Sequence, residues 1–262
     1  MIRENKKIQE FITENGSSTK CILDIFDERI SDTYFICLYS SYAEGLGTAD
    51  SDLDIYIFTK ENQKKFYGNK EVWGFMYKRQ AKIGKLLCDI EFWDIDEFLE
   101  MLHLFYTEKN FNINDDILKI LLRISIGTCS YKGEESIKIL NMVQEIDLKK
   151  KVQEYYALGA RSYYSDALQL SNDKDFISAM LLFKEAIKYA LGALNASYGK
   201  ANMKDKWILR SFINNPHLKN TDLLKEVEKM ILYPKVERND IEKYCEDLSS
   251  LCQCVLLESE IE

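Results

Sequence analysis

The stretch Thr33-Tyr34-Phe35-Ile36-Cys37-Leu38-Tyr39-Ser40-Ser41-Tyr42-Ala43-Glu44-Gly45-Leu46-Gly47-Thr48-Ala49-Asp50-Ser51-Asp52-Leu53-Asp54-Ile55-Tyr56-Ile57-Phe58 sets two β-branched and aromatic runs on either side of a loop of small residues. Continuous runs of this kind, 33–39 and 53–58, read as strands buried on both faces. The loop between them, with its paired glycines, suits a short helical turn. Asp52 and Asp54 stand two apart at the head of the second strand, so they point to one side while Leu53 and Ile55 point to the other.

Two carboxylates side by side raise the pKa of one partner unless a cation compensates. A divalent metal is the natural compensation, and oxygen-only ligation with positions left for phosphate oxygens suits Mg²⁺. Upstream, the first strand delivers the chain into Ser40-Ser41 and a helix start, whose free N–H groups and partial positive charge suit a triphosphate tail. A phosphate cradle facing an acidic pair supports in-line attack on phosphorus.

Working outward, LLCDIEFW (86–93) is a third strand candidate with Asp89 and Glu91 on one face, and VWGFMYK (72–78) a further one. Helical spacing marks 3–14 and 19–30 before the first strand. After Asp94 the pattern is helical throughout, at FLEMLHLFY and then at about 115–126, 134–146, 148–171, 174–198, 204–214, 221–232 and 239–258. Asp94 and Asp96 are N-cap candidates, Asn239 with Glu242 has capping-box spacing, and Gly199 sits where a helix would end. The expectation is an α+β chain: a small mixed sheet flanked by helices over 1–112, followed by an all-α helical bundle over 113–262.

The 262 residues include only two prolines and eleven glycines, against a loop-dominated all-β or collagen-like chain. The net charge of −8, with its acidic excess mostly in the first 150 residues, argues against a nucleic-acid partner. No apolar run reaches the roughly 18 residues of a membrane span, and the polar start is unlike a signal peptide, so a cytoplasmic protein is expected. Seven cysteines without CxxC spacing read as reduced packing residues, and two histidines are too few for a structural zinc site.

The quoted stretch resembles the nucleotidyltransferase superfamily that includes DNA polymerase beta, and within it the small bacterial antibiotic (aminoglycoside) nucleotidyltransferases. Those carry Gly-Ser-x-Ala-Arg-Gly, a loop, then Ser-Asp-hydrophobic-Asp. Ser41, Ala43, Gly45, Ser51, Asp52, Leu53 and Asp54 match in register, while Ser40 replaces the glycine and Glu44 the arginine. The resemblance implies Asp52 and Asp54 as metal ligands and catalytic residues, and Ser40, Ser41 and Ser51 around the nucleotide phosphates. It implies a third catalytic and metal-binding carboxylate on a later strand, which Asp89 fits, with Glu91 in reserve. The helical half is similar in hydrophobic pattern to the domain that closes over the nucleotide in such enzymes, where Lys184 and Lys188, one turn apart, are candidates to reach the phosphates.

The implied activity is Mg²⁺-dependent transfer of AMP from ATP to a hydroxyl of a small polar acceptor, cationic if aminoglycoside-like, with release of pyrophosphate. Two alternatives stand beside it: nucleotidylation of a protein or tRNA in a toxin–antitoxin type module, and a nucleotide-binding protein whose catalysis has decayed.

Overall fold

The computed structural model describes residues 2–27, 33–60, 74–107, 115–131, 133–219 and 221–260. The chain divides into two compact units, Met1–Ile146 and Asp147–Glu262. The first contains β1 (Ile2–Arg3), α1 (Lys6–Glu14), α2 (Thr19–Asp27), β2 (Thr33–Tyr39), β3 (Leu53–Thr59), β4 (Phe75–Ile83), β5 (Leu86–Asp94), α3 (Ile95–Thr107), α4 (Asp115–Ile126), β6 (Thr128–Tyr131) and α5 (Gly133–Glu145). The six strands form one sheet in the order β1-β6-β2-β3-β5-β4. Among the described residues only the β3–β5 pairing is parallel, so the sheet is mixed, as expected.

The alternation predicted for β3 holds across the sheet. Leu38, Ile55 and Ile90 share one face and pack with Ile36, Leu53, Ile57 and Cys88 against Ile8, Phe11, Ile12 and Ile22 of α1 and α2. The opposite face carries three cross-strand rows: Tyr39, Asp54, Asp89 and Gln80; then Cys37, Tyr56, Glu91 and Lys78; then Phe35, Phe58, Trp93 and Phe75. Acidity is therefore concentrated at one end of a face that turns aromatic further along.

Three differences from the sequence reading concern this unit. The segment 115–145 was expected in the helical half, with a boundary near 112, yet β6 hydrogen-bonds to β2 and to β1, which ties it into the sheet and moves the boundary to 146/147. Neither β1 nor β6 was foreseen, because two- and four-residue strands are too short to show a period. The fourth strand runs over Phe75–Ile83, further along than 72–78, and 61–73 lie outside the described residues. Residues 28–30 of the second predicted helix lie outside them too. Asp94 does cap α3, its Oδ1 accepting from Asp96 N at 3.0 Å and Glu97 N at 3.1 Å.

The second unit is helical: α6 (Leu148–Asn172), α7 (Phe176–Ser197), α8 (Ile208–Ile213), α9 (Asp222–Val227), a wider π turn over Glu228–Leu232, and α10 (Ile241–Ser259). α7 is flanked by α6 and α10, and Phe183, Ala186 and Leu191 of α7, Val152 and Tyr156 of α6, and Leu248 and Cys252 of α10 are all buried. Gly192 admits the Tyr156 ring, where a Cβ would sit 2.7 Å away. Gly199 closes α7 with φ +74°, as its position predicted. The expected capping box at Asn239 and Glu242 is not formed: a 3₁₀ turn over Arg238–Asp240 makes Asp240 the N-cap, with no side-chain cap bond. Among the described residues no helix is long and apolar enough to cross a membrane.

Candidate active site

The loop after β2 is built on Ser40 and Ser41. Ser40 takes the extended N-cap conformation of a 3₁₀ turn over Ser41–Glu44, and its Oγ accepts from Tyr42 N at 3.4 Å. The same hydroxyl donates to the carbonyl of Asp52 at 3.1 Å. Ser40 is fully buried and spends its hydroxyl on joining the two ends of the loop. The carbonyl of Ser41 accepts from Leu46 N at 3.1 Å and Gly47 N at 2.9 Å, and Gly45 ends the turn with φ +73°. Ser51 Oγ accepts from Thr48 N at 2.8 Å. All three predicted serines therefore shape the loop.

Gly47 was quoted in the sequence without a role. A Cβ there would lie 2.5 Å from Ser51 Oγ, 2.6 Å from Tyr42 N and 2.7 Å from Ser41 Oγ. The two predicted serines close onto the α-carbon of this residue, so only glycine fits.

The loop delivers Asp52, exposed, and Asp54, buried, to the head of β3. Asp54 and Asp89 are register partners across the parallel β3–β5 pair, so the structure brings Asp89 beside the acidic pair, with Glu91 one step further along the same face. Cations stand against these acids. Arg123 of α4 lies with Nη1 3.6 Å from Asp54 Oδ1, its guanidinium 5.0 Å from the Tyr39 ring centre and 5.5 Å from that of Tyr56. Lys78 Nζ sits 2.6 Å from Asp89 Oδ2 and 3.9 Å from Glu91 Oε1, while Gln80 Nε2 donates to Asp89 Oδ1 at 3.0 Å.

The sequence reading named only a divalent metal as compensation for the acids; Arg123 of α4 supplies a protein cation to Asp54, and Lys78 of β4 one to Asp89 and Glu91, both far from the motif in sequence. The signal for Arg123 was present: Asp116, Lys119 and Arg123 stand at helical spacing in the largely apolar helix α4.

Glu44, where the resembled family has arginine, accepts a hydrogen bond from the Tyr39 hydroxyl. Burial, then the Glu44 charge and hydrogen bond, push the Tyr39 phenol well above its ordinary range, so it remains a donor. Burial likewise raises the Glu91 carboxyl, with Lys119 and Lys78 opposing. For Lys78, burial lowers its value, but the hydrogen bond to Asp89 and the charges of Asp89, Glu91 and Asp54 raise it overall.

Among the described residues, no group of three or more His, Cys, Asp or Glu side chains is drawn together as metal ligands. The expected trio of Asp52, Asp54 and Asp89 lies at one end of one face, but both Asp89 oxygens are taken up by Lys78 and Gln80. Asp52 and Asp54 alone, oxygen donors with one carboxylate open to solvent, fit Mg²⁺, a cation that keeps waters and takes phosphate oxygens.

Lys184 and Lys188 belong to α7 of the second unit. Lys188 Nζ pairs with Glu185 at 2.5 Å and Asp205 at 3.2 Å, and Lys184 Nζ stands 5.6 Å from the Tyr244 ring centre. Both are committed within their own unit.

Residues 20–139 match the family model described as nucleotidyltransferase domain. Among solved structures, the chain is similar to a nucleotidyltransferase-like protein from Exiguobacterium sibiricum 255-15, with 10% identity and a TM-score of 0.50 over 91% of this chain and 74% of that one. That likeness is one of fold. No curated protein matches in sequence. Strands β2 to β6, the serine loop and the acids at the head of β3 fall inside the matched segment.

Proposed function

We propose that the protein transfers AMP from ATP to a hydroxyl of a small polar acceptor, releasing pyrophosphate. The observation that carries this reading is the cross-strand row of Asp54 and Asp89, headed by Asp52 at the end of a loop that Ser40 pins to Asp52 itself. In this reading the loop that carries Ser40, Ser41 and Ser51 borders the triphosphate and sets it beside Asp52. Asp52 and Asp54 would hold Mg²⁺, which when bound neutralises phosphate charge. Arg123 holds the Asp54 carboxylate in place in its buried setting. Asp89, with Lys78 moved aside, receives the acceptor proton.

The test is incubation of the full chain with ATP labelled at the α-phosphate and a panel of hydroxylated small molecules, beside an Asp52→Asn, Asp54→Asn protein. Label transfer by the wild type and its loss in the variant supports the reading. Equal transfer by both removes it.

The engagement of both Asp89 oxygens favours a second reading, a nucleotide-binding protein without turnover. ATP binding unaffected by Mg²⁺, with no label on any acceptor, selects it.

A further inference from the structure

The strands beside Asp89 are basic. The serine loop joins β2 to β3, whereas Asp89 stands on β5, on the other side of β3, and β4 follows it at the end of the sheet order. A hydroxyl that gives its proton to Asp89, with the triphosphate on the loop side, therefore has the rest of its molecule over β5 and β4. From Gly74 to Cys88 the chain holds Lys78, Arg79, Lys82 and Lys85 and no acid. By the period of two, Lys78, Gln80 and Lys82 of β4 share the face of Asp89, while Arg79 belongs to the opposite one.

Lys78 is committed to Asp89 and Glu91, but among the described residues no acid pairs with Lys82, which is exposed. Lys82 lies two residues beyond Gln80, the register partner of Asp89, so its α-carbon is about 8 Å from that of Asp89. The register partner of Lys82 is Leu87, on the same face as Asp89 and 49% exposed. A half-open leucine between a cation and the acidic row offers a ligand an apolar floor with one charged anchor, the usual make-up of a small-molecule subsite.

We infer that the acceptor carries a negatively charged group, a phosphate or carboxylate, a few carbons from the hydroxyl it offers, and that Lys82 selects it. The inference rests on the transferase reading above and names its acceptor class: a small anionic alcohol, in place of a polycationic aminoglycoside. The carbon skeleton lies on Leu87 and the anionic group meets Lys82. Lys78, drawn toward the same group, leaves Asp89 free; a polycation would have Lys82 against it and would leave Lys78 where it is. The hydroxyl proton then passes to Asp89, the oxygen forms the new bond to the α-phosphorus, and the bond from that phosphorus to the bridging oxygen breaks with its electron pair on pyrophosphate.

The experiment follows label from the α-phosphate of ATP to glycerol 3-phosphate, D-glucose 6-phosphate, D-glucuronate, D-glucose and the cationic aminocyclitol neamine, using the full chain. Binding of each acceptor without nucleotide is measured by saturation-transfer NMR, and wild type, Lys82→Gln and Lys82→Arg are compared. The expected result is label on an anionic alcohol, with KM raised about tenfold in Lys82→Gln, the loss of one charge-assisted contact. kcat is little changed, Lys82→Arg recovers most of the KM, and ATP affinity holds. The phosphate and glucuronate arms tell which anion is read.

Label on D-glucose or neamine in preference to the anionic alcohols overturns the inference and leaves the transferase reading intact. Label on an anionic alcohol with KM unchanged in Lys82→Gln does the same. Equal loss of ATP and acceptor affinity in Lys82→Gln assigns Lys82 to the nucleotide and also overturns it. Binding of an anionic alcohol that depends on Lys82, with no label on any acceptor, keeps the anion subsite and removes the transferase reading; neither binding nor label removes both.

Discussion

Arg123 and Asp54 form a buried ion pair, Nη1 to Oδ1 3.6 Å, with side chains only 5% and 11% exposed, and the guanidinium lies over the rings of Tyr39 and Tyr56 at 5.0 and 5.5 Å. A pair this deep contributes little net stability as a pair, but removing one partner strands the other charge. Arg123→Ala is therefore expected to lose about 3–5 kcal/mol in urea unfolding. Adding Asp54→Asn should restore much of it. A loss below about 1 kcal/mol, or no recovery in the double variant, would show that Asp54 does not depend on Arg123.

Gly47→Ala tests the loop. Its Cβ would collide with Ser51 Oγ and with the Tyr42 amide, a backbone atom that cannot swing aside. The expected cost is about 1–3 kcal/mol of stability. Because the collision lies between the serines and Asp52, nucleotide affinity should fall further than the Tm shift explains. A variant with unchanged Tm and unchanged ATP affinity would remove the claim that this loop is closed on Gly47.

Much of the fold was legible because its signals are local. The runs 33–39 and 53–58 became β2 and β3, the same-side placement of Asp52 and Asp54 followed from a period of two, and every long helix showed its 3.6-residue stripe. What was not legible depends on pairing at a distance. Thr128–Tyr131 is a strand only because β2 and β1 offer it edges, so the boundary drawn at 112 fell inside the first unit. The cations against the acids were hidden for the same reason: Lys78 meets Asp89 and Glu91 through a β4–β5 register that a bulge between Phe75 and Tyr77 shifts.

Lys78→Met asks whether Asp89 is a metal ligand. Lys78 is 43% exposed on its side chain, so the ammonium can leave Asp89 without dragging the sheet. If Asp89 joins Asp52 and Asp54 around a divalent cation, Lys78 competes with that cation, and Lys78→Met should bind Mn²⁺ several-fold more tightly by paramagnetic relaxation. Unchanged Mn²⁺ affinity would leave Asp52 and Asp54 as the whole protein ligand set.

Glu91 supplies a pH test with a definite sign. Burial raises its pKa in the folded chain, and Lys119 and Lys78 only partly offset this. Its ionisation is thus harder in the folded than in the unfolded state, and above the unfolded value the charged carboxylate subtracts from stability. That loss disappears as pH falls through the raised folded value and Glu91 takes up its proton. Glu91→Gln, which resembles the protonated form, should therefore have a higher Tm than the wild type at pH 7–8, with the difference shrinking as the buffer is taken toward pH 4. A Glu91→Gln protein less stable than wild type at neutral pH would mean that the pairing of Glu91 with Lys78 and Lys119 outweighs its burial.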